Sequence, residues 1–315
     1  MTKHITEPDN LEDYKLYWKA NRQKFIGELR EIYRGNNLTL VLGSGVSRAA
    51  GLPLWPDLVK NLYADVITQN FKLFEPDWES LDLKMDELIL QARYIKNGYE
   101  TPDLFYKSII KALYCEDVHL KAPLLNGIGK LCMPTRHNFL KSVITYNFDD
   151  VLERKLHKMN VEFKTIFDSN VNVKKTALPI YHVHGFLPES LDEFDNLNII
   201  FSDDDYNRQS SSQLYSWSNI IQLTHFKEST CFFLGTSFND ANLRRILEIV
   251  KHNFQGVKNY TILKHSFEPE KHSECLKNHF YINDILKERV LNDIGINIIW
   301  VDDFEEIPSI VSKIS

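Results

Sequence analysis

The sequence predicts an α/β fold of the Rossmann-like type, a doubly wound parallel sheet. Short apolar runs recur along the 315-residue chain, and several are apolar at consecutive positions, as strands buried on both faces of a parallel sheet are. Helical patterns lie between these runs, and small-residue turns follow several of them. The runs cover residues 38–42, 141–147, 178–185, 198–201, 229–237, 259–264 and 296–303.

Helical patterning suggests how the chain is organised. Residues 11–34 carry apolar side chains at helical spacing, and Gly35 interrupts the pattern. We therefore expect an N-terminal helical extension over residues 1–35. The remaining residues, 36–315, are expected to form one main domain with a mostly helical insertion at about 60–135.

Charge and composition exclude several classes of protein. The formal net charge is −6 and the pI is near 6.0, so a nucleic-acid-coating surface is not expected. No apolar run approaches the length of about 20 residues that a helix needs to span a bilayer. The four cysteines lie far apart and form no CxxC pair. With no recognisable signal peptide, we expect free thiols in a cytoplasmic protein without a membrane partner.

The first turn of chemical interest follows the strand at 38–42 and reads Gly43-Ser44-Gly45-Val46-Ser47. Backbone N–H groups at a helix N-terminus can hold a phosphate, and a side chain at either glycine would block its approach. The turn lacks the third glycine of a dinucleotide fingerprint, the lysine of a P-loop and the closing glycine of a nucleophile elbow. A tight structural turn without a ligand is the alternative.

A second motif ends the strand at 141–147. Asn147 places a polar amide at the carboxyl edge of the sheet, where α/β folds bind ligands. Asp149 and Asp150 fall in the first turn of the next helix. Acidic residues are common there simply because they cap helices and interact favourably with the helix dipole. Their presence is therefore weaker evidence of a functional role.

A third motif contains two histidines, His182 and His184. If both lie on one strand they share a face, and such a pair can bind a metal ion. The run Asp203-Asp204-Asp205 could add ligands, but no other metal-ligand spacing supports this reading. His184 precedes a glycine at the sheet edge, which favours a catalytic role over that of a hydrogen-bonded core histidine.

The fourth motif follows the run at 229–237. An apolar strand ends at Gly235, and two hydroxyl residues, Thr236 and Ser237, come next. This arrangement suits contacts with a ribose or a phosphate. It is equally compatible with a turn that leads into a helix capped by Asn239.

Together these motifs resemble the sirtuin superfamily in kind and in order, over about residues 36–302. The sirtuin motifs are GAGxS followed by GIP, asparagine-x-aspartate, histidine-glycine and glycine-threonine-serine. Their counterparts in this chain are Gly43–Ser47 with Gly51-Leu52-Pro53, Asn147-Phe148-Asp149, His184-Gly185 and Gly235-Thr236-Ser237.

The chain also departs from the deacylating sirtuins. Those enzymes carry a zinc ion on two CxxC pairs after the histidine, and here no cysteine lies between Cys132 and Cys231. The stretches "GLPLWPDL", "NIIFSDDDYN" and "SFNDANLRRIL" are instead similar to a bacterial sirtuin-like branch associated with anti-phage defence. Members of that branch hydrolyse NAD to nicotinamide and ADP-ribose.

The resemblance implies an NAD hydrolase with NAD as its substrate, no zinc and a catalytic domain at 36–315. It implies that Asn147 orients the ribose and a water molecule, and that His184 is the general base. Asp149, with the backbone at Phe148, would hold the carboxamide. The NAD-binding residues implied in all are Gly43, Ser44, Gly45, Ser47, Trp55, Phe148, Asp149, Gly235, Thr236 and Ser237.

Two other classes of function remain open. A zinc-free protein deacylase would need a tunnel for an acyl-lysine, and the missing zinc module weighs against it. A non-catalytic NAD or ADP-ribose sensor would not need both Asn147 and His184. As a toxic effector of abortive infection, an NAD hydrolase would need control by homo-oligomer formation or by a neighbour-encoded sensor or activator protein. The apolar face around Trp18 could pack on its own domain or on another subunit.

Overall fold

The computed structural model describes residues 11–71, 85–135, 139–169, 177–190, 199–202, 204–205, 216–254, 256–268 and 270–315. The first ten residues of the predicted extension lie outside this range. So do residues 72–84 of the predicted insertion, Asn198 of a predicted strand and Asp203 of the acidic run.

The strands of the described residues form one parallel sheet, which confirms the predicted Rossmann-like α/β fold. Their order across the sheet is β3-β4-β2-β1-β5-β6-β7. Residue pairs such as Val143 with Ile180 and Tyr260 with Asn297 set the parallel registers. The strands are β1 Leu38–Leu42, β2 Ser142–Thr145, β3 Phe163–Ile166, β4 Leu178–His182, β5 Thr230–Leu234, β6 Asn259–Lys264 and β7 Ile296–Val301.

Helices connect the strands and fill much of the predicted insertion. The first follows the amphipathic pattern read from the sequence, and five others fall between β1 and β2. The helices are α1 Leu11–Arg34, α2 Ser44–Ala49, α3 Trp55–Phe71, α4 Met85–Gly98, α5 Pro102–Leu113, α6 Pro123–Cys132, α7 Val151–Lys158, α8 Trp217–Glu228, α9 Ala241–Asn253, α10 Lys277–Asp293 and α11 Ile307–Ser312.

Two strand assignments differ from the sequence prediction. Residues 199–201, predicted as part of a strand, form no strand, and the Ile200 amide donates a hydrogen bond to the main-chain oxygen of His184. β3 was not predicted, and it is the first strand in the sheet order. Because an edge strand is only partly covered, its residues include the exposed Lys164 and carry a weaker apolar signal.

The chain divides into two compact units. The first comprises Met1–Val41, Asn126–Ser142 and Leu223–Ser315, and the second comprises Leu42–Leu125 and Val143–Gln222. Within the described residues, no helix combines the length and the apolar character needed to cross a membrane.

The apolar face of α1 is buried within the first unit, against β7 and α10. Trp18 is 4% exposed, and its indole Nε1 donates a 2.6 Å hydrogen bond to the Glu288 carboxylate. Its ring lies 5.8 Å from that of Trp300 on β7, and the ring of Phe25 lies edge-on to Tyr260. The side chains predicted to pack on the chain's own domain or on another subunit therefore pack inside their own unit.

This packing gives a stability prediction. Replacing Trp18 with alanine should lower the free energy of unfolding by ~3–5 kcal/mol, because it removes a buried aromatic ring and the hydrogen bond to Glu288. Urea unfolding followed by circular dichroism would measure the change. Leu16→Ala on the same helix is the matched control, since Leu16 is 69% exposed and should change stability little. Similar losses in the two variants would contradict this account of α1.

Candidate functional site

The strand-to-helix turn predicted after β1 is present in the second unit. α2 begins at Ser44, with Gly43 as its N-cap residue, and the Val46 amide donates a 3.0 Å hydrogen bond to the Gly43 carbonyl oxygen. Ser44 is exposed and Gly45 is half-buried in the first helical turn. Ser47, one turn along, is only 4% exposed. The turn therefore carries one buried hydroxyl, that of Ser47, and two small residues that solvent can reach, Ser44 and Gly45.

Two predicted site residues, Asn147 and Asp149, are linked to this turn by a chain of hydrogen bonds. The Asn147 side-chain nitrogen Nδ2 donates to the Gly43 carbonyl oxygen over 3.1 Å and to Ser47 Oγ over 2.8 Å. Ser47 Oγ in turn donates to the Asp149 carboxylate over 2.6 Å. Asn147, Ser47, Asp149 and Gly43 thus form one hydrogen-bonded set.

The partners fix which way the Asn147 amide points. A carbonyl oxygen can only accept a hydrogen bond, and Ser47 Oγ uses its single proton on Asp149. Both Gly43 and Ser47 must therefore receive their hydrogen bonds from the amide nitrogen. Since both Nδ2 protons are committed, the Asn147 Oδ1 atom is left as the acceptor available to a ligand.

Asp149 is a buried carboxylate with an altered pKa. Its second oxygen accepts from the Val151 amide at the start of α7, and the residue is 6% exposed. Burial raises the pKa of Asp149 from the ordinary 3.8 to about 6, although the hydrogen bonds from Ser47 and Val151 act in the opposite direction. The nearby Glu153 adds to the increase. Both oxygens therefore serve contacts inside the protein, and the predicted contact with a carboxamide remains a prediction.

The raised pKa predicts a pH effect on stability. The folded state holds the Asp149 proton more tightly than the unfolded state. The stabilisation that this proton gives to the folded state is therefore present below pH 3.8, and it is lost as the pH rises through about 6. The loss amounts to about 3 kcal/mol for a shift of about two units. Asp149→Asn cannot ionise, so its stability relative to the wild type should improve between pH 4 and pH 7. Urea unfolding across that range measures the difference, and a constant difference would contradict the shift.

His184 follows β4 in a turn of the second unit. Its imidazole ring packs edge-on against the Tyr146 ring, with the centroids 4.8 Å apart, and the residue is 5% exposed. Gly185 has a φ of +97°, a left-handed conformation that favours glycine, which explains the histidine-glycine pair in the sequence. The Tyr146 hydroxyl donates to Gln222 of the same unit. Tyr146 and Gln222 thus support the predicted catalytic histidine, and the sequence motifs did not indicate them.

The metal-binding hypothesis for His182 and His184 finds no support among the described residues. β4 ends at His182, so the alternation of side chains along a strand does not extend to His184. Both ring nitrogens of His182 already face partners, Glu153 and the Asn147 main chain. Asp205 caps the main chain at Ser202 and pairs with Lys96 over 2.7 Å. Within the described ranges no group of three or more potential ligands is placed to hold a metal ion.

Aromatic rings lie beside the hydrogen-bonded set. The Trp55 ring packs edge-on to Phe201 at 4.8 Å, and the Phe148 ring is 6.5 Å from Trp55. Phe148 is 7% exposed, whereas Trp55 at the start of α3 is only half-buried. These rings provide an apolar surface next to the polar set, as a planar heterocycle would require.

The fourth predicted motif lies in the first unit. β5 ends at Leu234, and Gly235 follows with a φ of +67°, which permits the turn. The hydroxyl oxygen of Thr236 is buried without a hydrogen-bond partner, and Ser237 is exposed. A buried hydroxyl that lacks a partner is suited to a polar ligand. The predicted cap Asn239 is wrong: Asp240 caps α9 through a 2.9 Å hydrogen bond from the Leu243 amide.

Comparisons with known proteins agree with the motif assignment. The SIR2-like domain family matches residues 141–285. The NAD(+) hydrolase ThsA of Enterococcus faecium is 22% identical over 320 residues, which cover 93% of this chain and 58% of that protein. The chain therefore spans less than two thirds of that relative's length.

A solved structure described as "Structural Basis for the Mechanism and Regulation of Sir2 Enzymes" is 14% identical. The match covers 92% of this chain and 96% of that chain, with a TM-score of 0.41. The family match includes Asn147, Asp149 and His184, while the turn at Gly43–Ser47 precedes it. The sirtuin resemblance read from the motifs is thus confirmed over residues 141–285, which are similar to the SIR2-like domain family.

Proposed function

We propose that this chain is an NAD glycohydrolase, which cleaves NAD with water to nicotinamide and ADP-ribose. The observation that carries the proposal is the fixed Asn147 amide, whose Nδ2 is held by Gly43 and Ser47 so that Oδ1 is left as an acceptor. The likeness to the NAD(+) hydrolase ThsA supports this choice of substrate. The proposed reaction uses NAD as its substrate and needs no zinc.

The bond to be broken defines what the site must supply. The C1′–N bond breaks with its electron pair going to the pyridinium nitrogen, so nicotinamide leaves as a neutral molecule. Little acid catalysis is needed for that departure. The site must instead stabilise an oxocarbenium-like ribose and hold a water molecule at the anomeric carbon. The water oxygen bonds to C1′ and gives up one proton.

Each residue of the site has a separate role in the proposed reaction. Asn147 Oδ1 would accept from a ribose hydroxyl or from the attacking water, which orients the water toward C1′. His184 would take the water proton, either directly or through a ribose hydroxyl, since histidine is the commonest general base near neutral pH. Asp149 holds Ser47 in the orientation that the Asn147 amide requires.

Binding of the rest of NAD is proposed from the surroundings of this set. The rings of Trp55 and Phe148 would cover the nicotinamide and keep water away from its faces. The backbone at Gly43–Gly45 would approach the pyrophosphate. The remaining predicted contacts, from Gly235, Thr236 and Ser237, are assigned to the ribose and phosphates by the sirtuin resemblance.

One assay separates this function from its alternatives. The purified chain is incubated with NAD in the presence and absence of an acetyl-lysine peptide, and the products are resolved by chromatography. A hydrolase releases nicotinamide and ADP-ribose with or without the peptide. A deacylase releases nicotinamide only with the peptide, and a sensor binds NAD without releasing nicotinamide. Either of the last two results would overturn the proposal.

Control of the activity is part of the proposal. A cytoplasmic enzyme that destroys NAD would harm its own cell, so we propose that this one serves as an effector of anti-phage defence and is normally silent. Assembly into a homo-oligomer, or a neighbour-encoded sensor or activator protein, would switch it on. NAD turnover measured together with particle mass by light scattering, for the chain alone and with such a partner, tests this. Full turnover by a monomer alone would contradict it.

A further inference from the structure

A buried pair of ionisable side chains lies behind the Asn147 turn in the second unit. His182 is 1% exposed and its ring packs edge-on against Phe186, with centroids 4.5 Å apart. Its Nδ1 atom is 3.0 Å from the Asn147 main-chain oxygen, and its Nε2 atom is 2.8 Å from Glu153 Oε1. The same oxygen of Glu153 also accepts from the Thr165 hydroxyl over 3.3 Å.

The chemistry of the partners determines the direction of the first hydrogen bond. The Asn147 carbonyl oxygen can only accept, so His182 Nδ1 must carry a proton and donate it. The Nε2 atom then faces Oε1 of the Glu153 carboxyl group, and the two atoms form a second hydrogen bond. The contact with Glu153 thereby fixes the orientation of the ring, as a carboxylate behind a histidine commonly does.

Burying this pair in the core costs free energy, because both polar groups lose their contact with water. Glu153 is 7% exposed and its second carboxylate oxygen is buried without a hydrogen-bond partner. Apolar side chains of similar volume could occupy the same space without the cost of desolvating two polar groups. What apolar residues could not supply is the donor to the Asn147 carbonyl. The side chain of Asn147 is held by Gly43 and Ser47, and its main-chain carbonyl is held by His182.

We propose that His182, oriented by Glu153, is a positioning residue that holds the main-chain carbonyl of Asn147 and thereby sets the direction of its side-chain amide during NAD cleavage. This inference rests on the proposed function. It assigns no contact with NAD to His182 itself.

Two substitutions of similar size remove the two hydrogen bonds of His182 one at a time. In His182→Asn the side-chain nitrogen can take the place of Nδ1, so the donor to the Asn147 carbonyl is kept and the partner of Glu153 is lost. In His182→Gln the amide reaches toward the place of Nε2, so the contact with Glu153 is kept and the donor to Asn147 is lost.

The two variants should rank oppositely in activity and stability. His182→Gln should lower kcat about 100-fold with little change in KM, because a small displacement of a catalytic group is enough for such a loss. His182→Asn should retain kcat within a few-fold, yet have the lower Tm, because the Glu153 carboxylate is left without its buried partner. A purely structural role would lower kcat in the order of the Tm values, and equal kcat losses in the two variants would overturn the proposal.

A double-mutant cycle tests whether His182 acts through Asn147. In an Asn147→Ala background, His182→Gln should lower single-turnover cleavage no further, since the amide it positions is gone. A further loss of similar size in that background would show that His182 acts elsewhere, and the proposal would fail.

A spectroscopic measurement keeps the inference separate from the proposed function. In protein labelled with ¹⁵N-asparagine, the Asn147 side-chain resonance is identified by its disappearance in Asn147→Ala. It should shift or broaden in His182→Gln and stay near its wild-type position in His182→Asn. This outcome would support the positioning role even if the wild-type chain did not cleave NAD. An unmoved resonance in His182→Gln would overturn the positioning role even in an active hydrolase.

Discussion

His184→Ala is expected to lower NAD cleavage by about 10²–10⁴-fold, the usual contribution of a general base. His184 is 5% exposed and its ring packs edge-on against Tyr146, so the base that the substitution removes is one that packing keeps in position. The stoichiometric release of nicotinamide, followed under single-turnover conditions, measures the chemical step directly. KM for NAD should change much less than kcat, because the proposed binding contacts lie elsewhere.

Two controls show whether a loss of activity in His184→Ala is specific to this histidine and is not caused by unfolding. His252→Ala removes an exposed histidine from α9 and should leave turnover unchanged. The circular dichroism spectrum and the Tm of His184→Ala show whether the variant is folded at the assay temperature. Near-normal turnover in a folded His184→Ala variant would exclude His184 as the base.

Asn147→Asp should lower kcat about 100-fold or more, although the two side chains have nearly the same shape. The new carboxylate cannot donate, so the hydrogen bonds to Gly43 and Ser47 are lost and the acceptor is no longer held in place. It also lies one hydroxyl group away from the Asp149 carboxylate, and like charges so close repel each other. Initial rates of NAD consumption at saturating substrate give the loss in kcat.

An exposed asparagine supplies the matched control. Asn253→Asp, at the end of α9, changes the same functional group where only a local main-chain contact is involved, and it should retain full activity. If Asn147→Asp kept more than a tenth of wild-type kcat, the fixed direction of the Asn147 amide would not matter for cleavage.

The outline of the fold and the approximate place of the site could be predicted from the sequence. Consecutive apolar residues at 40–42 and 231–234 indicate buried parallel strands, and a polar residue such as Asn147 marks where a strand ends. Both features depend on local pattern and on a general rule for α/β sheets. β3 escaped the prediction because an edge strand with the exposed Lys164 is only weakly apolar.

The contacts within the site could not be predicted in the same way. Glu153 occupies the first turn of α7, where an acidic residue is expected for its effect on the helix dipole alone, and nothing local shows that it faces His182. The hydrogen bond from Ser47 to Asp149 joins residues 102 positions apart. Such pairs are decided by how the packed helices and strands orient their side chains, and a single sequence does not reveal that orientation.

The hydrogen bond between Trp18 and Glu288 has a consequence for synthesis of the protein on the ribosome. The two residues are 270 positions apart, so α1 leaves the ribosome long before β7 and α10 exist to cover it. At about 5–20 residues per second, the wait is roughly 15–60 s. During that time the rings of Trp18 and Phe25 have no native surface to pack on. The nascent chain therefore offers an apolar helix to chaperones until β7 and α10 have been translated, and only then can α1 pack against them.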